Sequence, residues 1–114
     1  MSYELNGQAI EATENGYLVN HEDWSEDLAK VIAEAEGISL SERAWEVINY
    51  LREEYFNNNG NQPNERNMVK HFKPLWTDLP KMDAKALYEH FPMGPAKQAG
   101  KIAGLPETKR KGGY

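Results

Sequence analysis

Three histidines, His21, His71 and His90, are the side chains best suited to move protons or hold a metal near neutral pH, but they stand far apart in the chain. No two fall at helical i, i+4 spacing and none has a cysteine beside it, so the ligand spacings of a zinc site are missing. The run His21-Glu22-Asp23 offers three donors in a row, yet acids just ahead of a helix far more commonly favour its dipole than bind a cation. No metal and no cofactor is expected. Glu34, Glu36, Glu53 and Glu54 have the chemistry for acid and base work, but charged helix faces are ordinarily solvated and no catalytic pair is assigned among them. The decisive fact is that the 114 residues contain no cysteine. Disulfides, thiolate metal sites, iron–sulfur clusters and thiol nucleophiles are excluded with it.

Two other patterns carry weaker chemistry. Gly94, Gly100, Gly104, Gly112 and Gly113 enrich the C-terminal part in glycine, but no predicted strand precedes them as a phosphate-binding loop requires. The stretches 41–60 and 64–72 read as two helices joined by a short loop. As a helix-turn-helix they would turn Asn64, Arg66, Asn67 and Lys70 toward DNA. This gives an alternative reading as a DNA- or RNA-associated regulator with a basic tail. A chain of net charge −5 lacks the usual electrostatic footprint of that class. The charge is unevenly spread: residues 1–60 hold 13 acids against 3 Lys/Arg, and residues 61–114 hold 5 acids against 10. A basic face for an acidic partner is one consequence open to such a chain.

The elements that must position these residues are mostly helical. Asn6-Gly7 sits between β-prone residues and fits a type I′ turn, so 3–11 reads as a short hairpin. Ser25 caps a first helix whose stripe is Trp24, Leu28, Val31, Ile32 and Ala35, ending at Gly37. Ser41 caps the longest helix, with Trp45, Ile48, Leu51 and Tyr55 on one face and Gly60 beyond its end. Asn64 caps a short third helix burying Met68, Val69 and Phe72. Residues 74–80 form an irregular connector between two prolines. A fourth helix covers 81–91 with Leu87 and Phe91 inward, and a fifth runs from Pro95 to about Ala103. That last helix offers the core only Ala96, Ala99, Ile102 and Ala103, with Gly100 weakening it, so it should be held loosely. The fold class expected is mainly α: a small N-terminal β-hairpin packed on an orthogonal bundle of about five helices. Residues 1–103 form one domain and 104–114 a flexible C-terminal arm. With no basic-then-apolar start and no apolar run of membrane-spanning length, a soluble, cytoplasmic monomer without membrane contact is expected.

Taken together, "NGYL", "WSEDLAKVIAEAEGISLSERAWEVINYLREEY" and above all "LYEHFPMGPAKQAGKIAGLP" resemble the DsrC/TusE family of sulfur-trafficking proteins, over nearly the whole chain. The resemblance implies the same hairpin and helical bundle. It also implies a C-terminal arm whose penultimate cysteine takes up persulfide sulfur or joins a partner enzyme, with a second cysteine in some members inside "GPAKQACKIAGLP". The inner position is Gly100 here. The outer one falls on Lys111 by the family's spacing, or on Gly113 counted from the C-terminus, and the family's "GLPKP" continuation reads Gly104-Leu105-Pro106-Glu107-Thr108. Sulfur transfer needs a thiolate, so these residues imply a noncatalytic binding or regulatory relative, not an enzyme. The partner implied is a protein of a sulfur-relay or sulfite-reductase type. Lys97, Gln98, Lys101, Leu105 and Pro106 match the motif that would lead the arm to it, and Lys109, Arg110 and Lys111 offer electrostatic contacts in place of a sulfur bond.

Overall fold

The hairpin forms where a left-handed turn is cheapest: Asn6 and Gly7 take φ of 54° and 78°, values that asparagine and glycine adopt with least strain. They join β1 (Ser2–Leu5) to β2 (Gln8–Glu11), antiparallel with Tyr3 opposite Ile10 and Leu5 opposite Gln8. Two strands cannot bury a core alone. Tyr3 turns inward against the helices, and its hydroxyl donates to the Gly16 carbonyl at 2.6 Å. Burial, then the nearby Glu36 carboxylate, raises the Tyr3 phenol above its ordinary value.

The structure, a computed structural model, describes residues 1–107. After a single 3-10 turn at His21–Asp23 come α1 (Glu26–Ala35), α2 (Glu42–Asn57), α3 (Glu65–Phe72), α4 (Ala84–Tyr88) and α5 (Pro95–Ile102). Ser25, Ser41 and Asn64 each accept a backbone N–H of the first turn, so the three capping assignments made from sequence hold. No helix of the described residues is long and apolar enough to cross a membrane.

Three expectations change. The buried face of α1 is Leu28, Ala29, Ile32 and Ala33, while Ala35 is exposed. The helix starts after Trp24, and its inward face is turned by roughly one residue. The fourth helix is a five-residue turn because the Asp83 carboxylate caps the Lys85 N–H, leaving Lys81 and Met82 outside it; Phe91 is fully buried just beyond. The last helix is not loosely held. α5 packs on both α1 and α2, and Ala99, Gly100, Ile102 and Ala103 are buried. Small side chains on that face let neighbouring backbones come close, so few methyl groups still give full burial.

The expected arm boundary also moves. Gly104 and Leu105 lie inside the packed body, with Leu105 1% exposed. Leu105 N–H donates back to the Gly100 carbonyl at 3.0 Å and Gly104 N–H to Lys101 at 3.1 Å, the pairing that closes a helix through a left-handed residue and tucks the next side chain inward. The flexibility expected for Thr108–Tyr114, and with it Lys109, Arg110, Lys111 and Gly113, lies outside the described residues.

Candidate functional site

The site grows from the C-terminal end of α5, where three carbonyls need donors. Trp24 Nε1 donates to Ile102 O at 2.8 Å, Arg52 donates to Ala103 O at 2.7 Å, and His21 Nδ1 lies 3.1 Å from Gly104 O. A carbonyl can only accept, so His21 carries its proton on Nδ1. The Arg52 guanidinium also stacks 3.7 Å above the Trp24 ring and 4.8 Å from Phe56. Its positive charge sits where the helix dipole is negative, and burial lowers its pKa from the ordinary arginine value. Beyond this clamp, Gln62 donates to Pro106 O at 3.0 Å, and Asn15 donates to both Glu107 carboxylate oxygens at 3.1 Å. The root of the tail is thereby fixed as far as Glu107.

Arg52→Met keeps length and apolar stem but removes the charge-assisted bond and the ring contact. It is expected to cost about 2–3 kcal/mol in urea denaturation, with faster amide exchange at Leu105. A loss under about 0.5 kcal/mol would show that the clamp is unimportant.

Next to the clamp opens a cleft of about 450 Å³. Gly100 and Ala96 of α5, Leu51 of α2, Leu105, Pro106, Tyr88 and Met93 supply apolar lining. Arg66 and Lys97 bring positive charge to it, and Glu65 accepts the Tyr88 hydroxyl at 2.7 Å. That hydrogen bond first, then burial and the same carboxylate's charge, raises the Tyr88 phenol above its ordinary value. The backbone at Gly100 is buried, yet a methyl group placed on it would meet nothing within 4 Å. Position 100 therefore opens on the cleft.

The expected docking residues separate on this frame. Lys97 is exposed at the cleft. Pro106 is half-buried in its wall. Gln98 is 3% exposed: its carbonyl accepts the Met93 N–H at 3.0 Å and its amide donates to Glu36 at 3.2 Å. Lys101 is tied to the other Glu36 oxygen at 3.2 Å and lies 5.3 Å from the Tyr17 ring. Gln98 and Leu105 are thus buried and Lys101 is partly so, with Gln98 and Lys101 both held on Glu36. Burying a polar group favours satisfying it internally, which the three-residue spacing of Gln98 and Lys101 achieves on one carboxylate.

The residues of the nucleic-acid alternative are exposed at and along α3, and nothing else in the structure or the comparisons supports that reading. Asn64 uses its side chain on the Asn67 N–H. Arg66 lines the cleft, whereas Asn67 and Lys70 border a separate hollow beside Tyr50 and His71. Among the described residues no three His, Asp or Glu side chains gather as a metal centre. His90, 3.1 Å from Ser41 Oγ, is held below its ordinary pKa by burial, with Arg43 adding to that and Glu89 opposing it. Trp24 and His21 were read from sequence in other roles and Arg52 and Gln62 not at all; no local signal marks any of them for this clamp, because their partners lie 78, 83, 51 and 44 residues away.

A family model described as "DsrC like protein" matches residues 4–110. The sulfurtransferase TusE of Yersinia pseudotuberculosis is 46% identical over 104 residues, covering 91% of this chain and 94% of that protein. TusE of Escherichia coli K12 is 48% identical over 101 residues, 89% of this chain and 91% of that one. Among solved structures, the oxidized gamma subunit of the dissimilatory sulfite reductase (DsrC) from Archaeoglobus fulgidus matches with a TM-score of 0.87 at 33% identity, covering 97% and 99% of the two chains. The solution structure of Allochromatium vinosum DsrC gives 0.79 at 37% identity, covering 96% of each. With the hairpin, the five helices and the glycine-lined cleft on the same frame, the chain belongs to the DsrC family, as a member with no cysteine in its 114 residues.

Proposed function

We propose that this chain is a noncatalytic docking member of its family, engaging a protein of a sulfur-relay or sulfite-reductase type in the cytoplasm without passing sulfur to it. One observation supports the reading above all: the chain matches the family over nearly its whole length, yet none of its 114 residues is a cysteine. A persulfide can be carried only on a thiolate sulfur, which lysine and glycine do not supply. The names of the relatives, a sulfurtransferase and a sulfite reductase gamma subunit, supply the two partner classes. A regulatory role follows if the chain occupies a surface that a cysteine-bearing relative would use.

The test is affinity capture from native extract with the full chain, with a chain ending at Glu107, and with Lys109, Arg110 and Lys111 replaced by alanine. Truncation belongs after Glu107, not before Gly104, because Leu105 is core. Exposed ion pairs are worth about 0.2–1 kcal/mol each, so the triple alanine variant should bind roughly three- to 150-fold more weakly at low salt. That difference should shrink as salt rises toward physiological strength, where the Debye length is about 8 Å. Capture of no sulfur-handling protein would defeat the reading. Unchanged affinity in the triple variant would remove the tail from it.

A further inference from the structure

Three asparagines in this chain stand directly before a glycine: Asn6, Asn15 and Asn59. Such a pair has a chemistry of its own. With no side chain on the second residue, its backbone nitrogen can reach the asparagine side-chain carbonyl carbon and close a five-membered imide ring. All three asparagines are exposed, so access to water does not separate them. Their hydrogen bonds do. The Gly16 N–H donates to Thr13 O at 2.9 Å, and the Asn15 amide is engaged by both Glu107 oxygens at 3.1 Å. The Gly60 N–H donates to Tyr55 O at 2.9 Å just past the end of α2, and a methyl on Gly60 would lie 3.7 Å from the Tyr55 ring. At the hairpin nothing is held. The register pairs Leu5 with Gln8, so the last bonds of the ladder belong to those residues and Gly7 stands outside it. Among the described residues neither the Gly7 N–H nor the Asn6 side chain has a partner, and a methyl on Gly7 would meet nothing within 4 Å.

We propose that Asn6 is a site of spontaneous covalent modification, converting to aspartate and isoaspartate as the chain ages, while Asn15 and Asn59 are protected by the fold. The modification is independent of the docking role proposed above. The Gly7 nitrogen attacks Asn6 Cγ and gives up its proton, the Cγ–Nδ2 bond breaks, and ammonia leaves. The imide then takes up one water, and opening at one or the other carbonyl gives aspartate or isoaspartate. Nothing is oxidised or reduced, and water is the only co-reactant. The two products act differently on the hairpin. Aspartate leaves the main chain unchanged and tolerates the left-handed conformation at position 6, φ 54°, so the turn persists with one more negative charge. Isoaspartate routes the main chain through the side-chain carbon and adds a methylene to a two-residue turn, which the Leu5–Gln8 closure does not fit. The hairpin is then the part of the fold that loosens.

The test is incubation of the full chain in mildly alkaline buffer, with and without urea, followed by peptide mapping that separates asparagine, aspartate and isoaspartate at each site. In the folded chain Asn6 should convert ahead of Asn15 and Asn59 by roughly two- to thirteenfold, the factor set by the hydrogen bond that each of their glycine nitrogens must give up. In urea the three rates should come together, because only the fold separates the sites. Equal rates in the folded chain, or the same lead for Asn6 in urea, would overturn the assignment. Amide exchange then reads the consequence. Chains carrying isoaspartate at position 6 should lose protection across β1 and β2 while α2 keeps its own, and Asn6→Asp, which supplies the other product directly, should retain the hairpin. Protection retained in the isoaspartate form, or lost equally in Asn6→Asp, would overturn the account of the turn.

Discussion

Gly104→Ala is expected to be the most destabilising single methyl added to this chain, lowering stability by roughly 3–5 kcal/mol and the midpoint of thermal unfolding by about 15–30 °C. Two causes add. Gly104 sits at φ +75°, a left-handed conformation that costs an alanine about 1–2 kcal/mol. The new methyl would also lie 2.4 Å from Trp24 Cδ1 and 2.8 Å from Cγ, well inside contact. Trp24 cannot yield cheaply, because its indole N–H holds Ile102 O and its face carries Arg52. Moving the ring opens the clamp at the end of α5, and Leu105 loses the turn that buries it. For a domain whose whole stability is about 5–15 kcal/mol, that is a large share. The matched control is Gly100→Ala, four residues earlier, where nothing lies within 4 Å. There the helix gains and the midpoint should hold or rise, by up to about 1 kcal/mol in stability. Denaturation of both variants, followed by circular dichroism, decides the matter. A loss under about 1 kcal/mol at Gly104 would mean that the ring adjusts freely.

The second large effect is chemical. The natural chain should take up no sulfur from a persulfide donor, and intact mass should stay unchanged. Gly100→Cys should gain one sulfur atom per chain. In the balanced step, the new thiolate attacks the outer sulfur of the donor persulfide, that sulfur's bond to the donor breaks, and the donor leaves as a thiolate. The cleft provides room for the side chain, and Lys97, one turn earlier on α5, together with Arg66 across the cleft, favours the thiolate. Ala99→Cys is the control: its position is fully buried, so its thiol should react at least roughly tenfold more slowly in the native state. Equal reactivity at both positions would show that Gly100 does not open on the cleft, and a sulfur adduct on the natural chain would undo the reading of a noncatalytic member.

Much of the fold was legible in the sequence, for a reason particular residues make clear. Asn6-Gly7 turns the hairpin because of the φ angles its own backbone tolerates. Ser25, Ser41 and Asn64 start helices because a side-chain oxygen reaches an amide two or three residues away. The absence of cysteine is complete information about thiol chemistry. The motif around Gly100 was enough to suggest the family.

Which residues matter around that motif was not legible. Gln98, Lys101 and Leu105 read as surface contacts of an arm, and the fold turns them inward onto Glu36 and the core. The helix that looked weakly held is instead central, because its alanines and Gly100 admit close neighbours and because Trp24, Arg52 and His21 cap its last carbonyls from distant parts of the chain. The sequence by itself determined caps, turns and the lack of a sulfur nucleophile, since each is set by the chemistry of residues within a few positions of one another. Only the tertiary structure decided which side of α5 is buried, where the packed body ends and that Gly100 opens on a cleft. Those depend on which distant groups come to satisfy the same backbone and fill the same volume, and no short window of sequence contains both partners.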